Sequence, residues 1–254
     1  MEIFRADLHT HTILSPCGDL EMTPRNIIDM AVARNIDIIG ITDHNSTLNA
    51  LTVKSIGEEA GILVMTGAEV NTREEIHTLC FFNDEGALQE FQGWLEREIT
   101  RVPNSVERFG YQVVVDEDDN IRDQVDYLLL MALRSGIEDV ARFVSSLGGL
   151  FIPAHVDRPV NSIISQLGFF PPSLTCDAIE LTPRCSRSDL LEMHPFAEKF
   201  PIIRSSDSHY ISTVGDVTTR FLLKDNSYGE VVMALKGEGG RKIIDHNRDY
   251  EDNI

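Results

Sequence analysis

The sequence is sparing with cysteine: Cys17, Cys80, Cys176 and Cys185 are the only four in 254 residues, and no two form a Cys-x-x-Cys pair. A disulfide scaffold is thereby excluded, and the thiols are expected to be reduced, each still able to bind metal. Basic residues are also few. Lys and Arg total 22 against 41 Asp and Glu, a formal charge of −19, so the far field repels polyanions and no binding of long nucleic acid through a basic surface is expected. The start, Met1-Glu2-Ile3-Phe4-Arg5-Ala6-Asp7, places charges where a secretion signal needs an apolar core. No apolar run approaches the roughly 20 residues of a membrane span. A cytoplasmic protein without a membrane partner is therefore expected. Internal repeats and low-complexity tracts are lacking, and 42% hydrophobic with 25% charged residues excludes disordered and collagen-like chains. The length suits either two small domains or one large α/β barrel.

What the sequence does contain is an alternation. Apolar runs of strand length at residues 3–8, 36–41, 61–66, 76–82, 149–153, 177–181 and 201–204 are separated by stretches of helical spacing at 48–60, 85–99, 137–147, 161–167 and 188–199. That rhythm argues for a parallel sheet, and seven strands is near barrel number. Between the first two strands, Thr23 is placed to cap a helix with Pro24 in its first turn. The gap from Phe82 to Gly149 exceeds a single crossover. Within it, Tyr111 to Val115 and the acidic run from Asp116 read as a hairpin, giving an insertion at about residues 84–136 between strands four and five. The polar tail, residues 245–254, is expected to fray.

Six of the eight histidines, His9, His11, His44, His77, His155 and His209, fall in or just after these strands. In a parallel barrel the carboxyl ends of the strands share one face and hold the chemistry. Strand alternation predicts that Asp7, His9 and His11 point the same way, and that Asp207 and His209 do so at the seventh strand. A lone histidine at a strand end is usually a hydrogen-bonded core residue. A set of six together with Glu69 and Asp207 is not, because such a cluster without partners is costly to bury. Imidazole with carboxylate suits Zn, Mn or Fe. Glu69 is placed to bridge two ions. Neighbours in an extended chain face opposite ways, which favours His44 as the ligand and Asp43 as its support or as a proton acceptor; Asp7 has the same reading.

As a set, these motifs resemble the PHP superfamily, named for polymerase and histidinol phosphatase. They are Asp7-Leu8-His9-Thr10-His11-Thr12, Thr42-Asp43-His44, Gly67-Ala68-Glu69, Ile76-His77, Pro153-Ala154-His155 and Ser206-Asp207-Ser208-His209, in the family's order. The resemblance implies a single domain over residues 1–254, folded as a distorted (β/α)7 TIM-like barrel. It also implies two or three divalent ions: one on His9, His11, Glu69 and Asp207, one on His44 and His209, and one on Glu69, His77 and His155. Relatives often complete the second set from the loop after His-x-His, where this chain offers Cys17 and Asp19. A thiolate there favours zinc, whereas a carboxylate leaves Mn and Fe open.

The activity so implied is hydrolysis of a small phosphoester, whether a phosphomonoester, a nucleotide or a short oligonucleotide, by a metal-bound hydroxide. Arg158 and Arg184 follow the fifth and sixth strands and can grip phosphate, although each also reads as an ordinary surface arginine. Two other functions fit the same residues: a metal-dependent amide or ester hydrolase, and a non-catalytic metal-stabilised module of a larger complex.

Overall fold

A computed structural model describes residues 1–244; the tail expected to fray lies outside the described residues. The chain begins with β1 (Glu2–Thr10), α1 (Pro24–Ala33), β2 (Ile38–Ile41), α2 (Ala50–Ala60), β3 (Leu63–Asn71) and β4 (His77–Phe82). It continues through α3 (Glu85–Glu98), α4 (Val106–Phe109), the hairpin of β5 (Val113–Val115) and β6 (Ile121–Gln124), α5 (Ile137–Ser146), β7 (Leu150–Pro153) and α6 (Ile163–Leu167). Then come β8 (Ile179–Glu180), α7 (Arg187–Met193), β9 (Ile202–Ile203), β10 (Thr219–Leu223), α8 (Tyr228–Lys236) and β11 (Lys242–Ile244). Pro24 opens α1, and the Thr23 hydroxyl accepts from the Asn26 N–H, as the sequence signals. Each of the seven apolar runs holds one of β1–β4 and β7–β9, whereas α4, α8, β10 and β11 have no counterpart in the expectations above. Among the described residues no helix is long and apolar enough to cross a membrane.

The main sheet has the order β11-β10-β1-β2-β3-β4-β7. It is mixed, which corrects the expectation of a parallel sheet. Only β1–β2 and β2–β3 run parallel within it; β10, β11, β4 and β7 pair antiparallel with their neighbours. The reason is connection length. Residues 72–76 alone separate β3 from β4, far fewer than a parallel crossover needs, so β4 must fold straight back. The short pair β8–β9 is parallel. It is tied to β7 by Asp177 N donating to Phe151 O at 2.9 Å, and the segment after β9 bridges to β1 between Ser208 and Thr10. The product is an α/β fold in which a curled mixed sheet forms a half-barrel.

Apolar side chains fill both faces of the curl. Leu8, Ile38, Met65, Leu79, Phe81, Ile152 and Ile203 are buried together on the concave side. On the convex side Ile39 and Ile41 pack under Ile27, Ile28 and Ala31 of α1 and Val53 and Ile56 of α2. Each such side chain contributes about 1.5–3 kcal/mol on burial.

One irregularity in β1 decides where the site lies. Asp7 pairs with Ile39, but Thr10 pairs with Ile41, so β1 advances three residues against two on its partner. The extra residue is a β-bulge, a device that re-aims side chains. Asp7 keeps the convex side with Ile39, whereas His9 and His11 turn to the concave side. Simple alternation, which places 7, 9 and 11 together, is thereby corrected. Gly40 makes room for the bulge: a Cβ there would lie 2.5 Å from the Leu8 carbonyl oxygen.

Candidate metal centre

The ends of β1, β2, β3 and β7 meet at one rim, and His77 joins them from the amino end of β4. That end reaches the same rim because β4 runs antiparallel, a correction to the rule of carboxyl ends. Glu69, 1% exposed, lies at the middle. Its Oε1 is 3.3 Å from His9 Nε2, 2.9 Å from His77 Nδ1 and 3.1 Å from His155 Nε2. Its Oε2 is 3.4 Å from His11 Nε2 and 3.1 Å from His44 Nδ1. Asp207 Oδ1 closes the set at 3.3 Å from His9 Nε2 and 3.4 Å from His11 Nε2. The His209 ring stacks on that of His11 with centroids 4.1 Å apart. All six strand-end histidines and both carboxylates are thus brought together.

A ring of hydrogen bonds aims these groups. The Ser15 hydroxyl donates its proton to Asp43 Oδ1 at 2.7 Å, so at 3.0 Å from His11 Nδ1 it acts as acceptor and fixes the proton on that nitrogen. The same hydroxyl accepts from the His44 N–H at 3.1 Å. Asp43 also accepts from the Thr12 N–H and hydroxyl, each at 2.7 Å; it faces this loop, while His44 faces Glu69. Asp7, across the sheet, accepts from Ser206 N at 2.9 Å, Ser206 Oγ at 2.5 Å and Gly215 N at 2.8 Å, which anchors the segment carrying Asp207 and His209. His209 Nδ1 donates to the Asp207 carbonyl at 2.9 Å. His155 and Asp207 sit at φ +29° and +52°, backbone strain of the kind concentrated at functional sites.

Sequence reasoning missed Glu180. This residue, 2% exposed, accepts from His9 Nδ1 and from the His155 N–H, both at 3.0 Å. The available signal was a carboxylate between Ile179 and Leu181, inside the run 177–181 rather than at its edge like Asp177, a position where an acid requires a buried partner.

Burial would lower the His9 pKa, but Glu180, Asp207 and Glu69 together hold it well above the usual histidine value. Burial, with His209 nearby, brings His11 down to about 4, and burial also pushes His44 well below its ordinary value. For Glu69, burial is outweighed by His77, His9 and His44, and for Asp207 by His9 and His11, so both stay far below the usual carboxylate range.

The residues fit divalent ions. With their Nδ1 protons committed, His9 and His11 face each other through Nε2 at 3.2 Å, beside the carboxylates of Glu69 and Asp207, where a divalent ion can take the place of the proton that those carboxylates favour on His9. His44 Nδ1, His77 Nδ1 and His155 Nδ1 are buried without a hydrogen bond. Donor atoms of His9, His11 and Glu69, of His11, His44 and His209, and of His44, Glu69 and His77 each lie within 4.8 Å of one another. Among the described residues neither Cys17 nor Asp19 joins these groups. Cys17 is exposed, and Asp19 Oδ1 accepts from Glu21 N at 2.8 Å in its own loop. Arg158 reaches the rim, donating to Asp207 Oδ2 at 2.7 Å. With the exposed Arg184 it lines a cleft of about 510 Å³ that opens beside His155 and Asp207.

The chain has relatives among known proteins. The PHP domain model matches residues 7–162. The chain is 25% identical over 276 aligned positions to the uncharacterized protein YqxK of Bacillus subtilis, covering 96% of this chain and 65% of that protein. Its fold resembles the lesion-specific endonuclease PfuEndoQ of Pyrococcus furiosus, with a TM-score of 0.75, 20% identity, and coverage of 95% of this chain and 58% of that one. Endonuclease Q in complex with a 27-mer duplex carrying an abasic lesion at the active site superposes with a TM-score of 0.70 and 21% identity, with the same coverage of both chains. This chain therefore spans less than two thirds of the length of each of these proteins.

That complex overturns the exclusion of long nucleic acid, because a chain of this fold holds a duplex. Net charge is a sum over the whole surface, and its field is screened within about 8–10 Å at ordinary ionic strength. Contact with a phosphate backbone is decided by the few groups beside it.

Proposed function

This chain belongs to the PHP domain family, and from that premise we propose that it is a metal-dependent phosphoesterase that cleaves a phosphodiester of a nucleic acid. The observation that carries the reading is Glu69, a buried carboxylate within 3.4 Å of His9, His11, His44, His77 and His155. Such a centre suits ions that share a bridging carboxylate. The likeness in fold to an endonuclease that holds duplex DNA supports the diester and extends the substrate class beyond small esters.

Zn, Mn or Fe would be held by His9, His11, Glu69 and Asp207 in one set and by Glu69, His77 and His155 in another. A third set is His44 and His209, with His11 at its edge. Bound there, such ions supply charge neutralisation at phosphoryl oxygens and a water acidified toward neutral pH. The protein's own groups do the rest. Arg158, oriented by Asp207, and Arg184 across the cleft bind non-bridging phosphate oxygens. Asp43 and Asp7 act through other residues: the first sets the loop that orients His11 and His44, the second the segment bearing Asp207 and His209. Burial of the ligands excludes bulk water and strengthens every charge interaction at the rim.

The test is a panel with added Mn, Zn or Fe: a nicked-plasmid or labelled-duplex assay, bis-p-nitrophenyl phosphate, p-nitrophenyl phosphate, and amide and carboxyl-ester substrates. Metal-dependent cleavage of diesters is the expected result. Turnover of amides or carboxyl esters alone, or full metal occupancy with no turnover of any substrate, overturns the reading.

A further inference from the structure

Glu180 has no task in the mechanism just given, yet its environment is that of a functional group. It stands on β8, outside the seven-stranded sheet. Its Oε2 accepts from His9 Nδ1 and from the backbone N–H of His155, each at 3.0 Å, and Oε1 lies 3.3 Å from the same His9 Nδ1. Those partners come from parts of the curl that are not paired: His9 lies on β1 and His155 follows β7, at the far end of the strand order.

We propose that Glu180 is a positioning residue that couples two ion positions, holding the His9 ring and the His155 backbone at once. The inference rests on the metal-centre reading above. An imidazole ligates through a nitrogen lone pair, and a carboxylate that accepts from Nδ1–H leaves Nε2 as the free donor. His9 Nε2 is the atom that lies 3.3 Å from both Glu69 Oε1 and Asp207 Oδ1. The second bond holds the His155 N–H while that residue sits at φ +29°, a conformation L-residues seldom adopt. From there the ring places Nε2 at 3.1 Å from Glu69 Oε1. His11 and His44 are set differently, through the neutral hydroxyl of Ser15. Glu180 instead adds a second buried carboxylate close to Glu69, with the partly exposed Asp207 beside them, a concentration of acid that opposes folding unless cations offset it. A merely structural residue would stabilise the protein equally with and without ions; Glu180 is expected to act on ion binding.

The experiment uses the full chain with Glu180→Ala and Glu180→Gln. Zn and Mn affinity is measured by competition with a chromophoric chelator, thermal melting is followed with and without the ion, and 15N NMR reads the His9 tautomer. Glu180→Ala is expected to weaken ion binding about 10- to 100-fold, to lower occupancy at more than one position per chain, and to leave the chelator-treated melting temperature unchanged or raised. Glu180→Gln, whose amide oxygen can take the place of Oε2 and keep the two 3.0 Å hydrogen bonds while losing only the 3.3 Å contact of Oε1, should retain the tautomer and lose less affinity. Affinity within twofold of the parent in both variants overturns the proposal while leaving the metal-centre reading intact. So does equal destabilisation by Glu180→Ala with and without ion. A parent chain that binds neither ion overturns both.

Discussion

The imidazole rim and the arginine-lined cleft share one ion pair, Arg158 with Asp207, yet they are built in opposite ways. The inner ligand side chains at the rim are buried, with His9 and His11 at 0% exposed and Glu69 at 1%, while His77, Asp207 and His209 at its edge are partly exposed. Their orientations are set by Ser15, Asp43, Glu180 and Asp7 before any substrate arrives. In the cleft the Arg158 side chain is 43% exposed, and Arg184 stands in solvent. Desolvated, pre-oriented groups carry large interaction energies, whereas exposed cations are screened and carry small ones. The difference separates chemistry from capture. It also orders the consequences of mutation.

The largest effect should come from removing a rim ligand. His9→Ala or Asp207→Ala is expected to reduce diesterase activity by roughly a thousandfold or more, with ion content reduced and the circular dichroism spectrum retained. Undiminished turnover in either variant would erase the distinction between the two regions.

Next is Gly40→Ala, which touches no ligand. A Cβ 2.5 Å from the Leu8 carbonyl oxygen must displace the β1 bulge, destabilising the fold by about 1–3 kcal/mol in denaturant titrations. It should also weaken ion binding, because the bulge directs His9 and His11. Stability lost with unchanged ion affinity would show that the bulge does not aim the rim.

Arg158→Ala should raise KM about tenfold, in line with the loss of one charged hydrogen bond of roughly 1.5 kcal/mol, and leave ion content as it was. Arg184→Ala should raise KM only a few-fold. Loss of bound ion from Arg158→Ala would make that residue part of the rim rather than of the cleft.

The smallest effect belongs to a pair remote from both regions. Glu230 accepts from Arg241 Nε at 2.9 Å and Nη2 at 2.7 Å, and these bonds bring its pKa down to about 2 from an ordinary 4.5. A carboxylate with a depressed folded pKa stabilises fully above its unfolded value, and that contribution fades as pH falls from about 4.5 toward 2. Glu230→Gln should therefore flatten the acid limb of the stability curve in that window. It should leave ion binding and KM untouched.

Much of this was legible in the chain. Runs of strand length located β1–β4 and β7–β9, because apolar period and turn chemistry are local properties. Histidines clustered at strand ends marked the rim, since no structural role accounts for so many together. The five residues 72–76 already required β3 and β4 to be antiparallel, a constraint of connection length that the alternating rhythm concealed. The side-chain parity of Asp7, His9 and His11 was not legible, because a bulge is a property of two strands and not of one. Net charge misled about polyanions for a related reason: it averages over a surface on which only a few sites meet the ligand.

By itself the sequence determined which residues are able to hold metal and roughly where strands and helices begin and end, because donor chemistry and local periodicity travel with the chain. Tertiary structure alone decided which way those donors face. The bond from His9 to Glu180 spans 171 positions, and the turn of His9 toward Glu69 depends on Gly40 yielding space on a neighbouring strand. Contacts of that kind exist only once the sheet has curled and brought distant backbone within hydrogen-bonding distance.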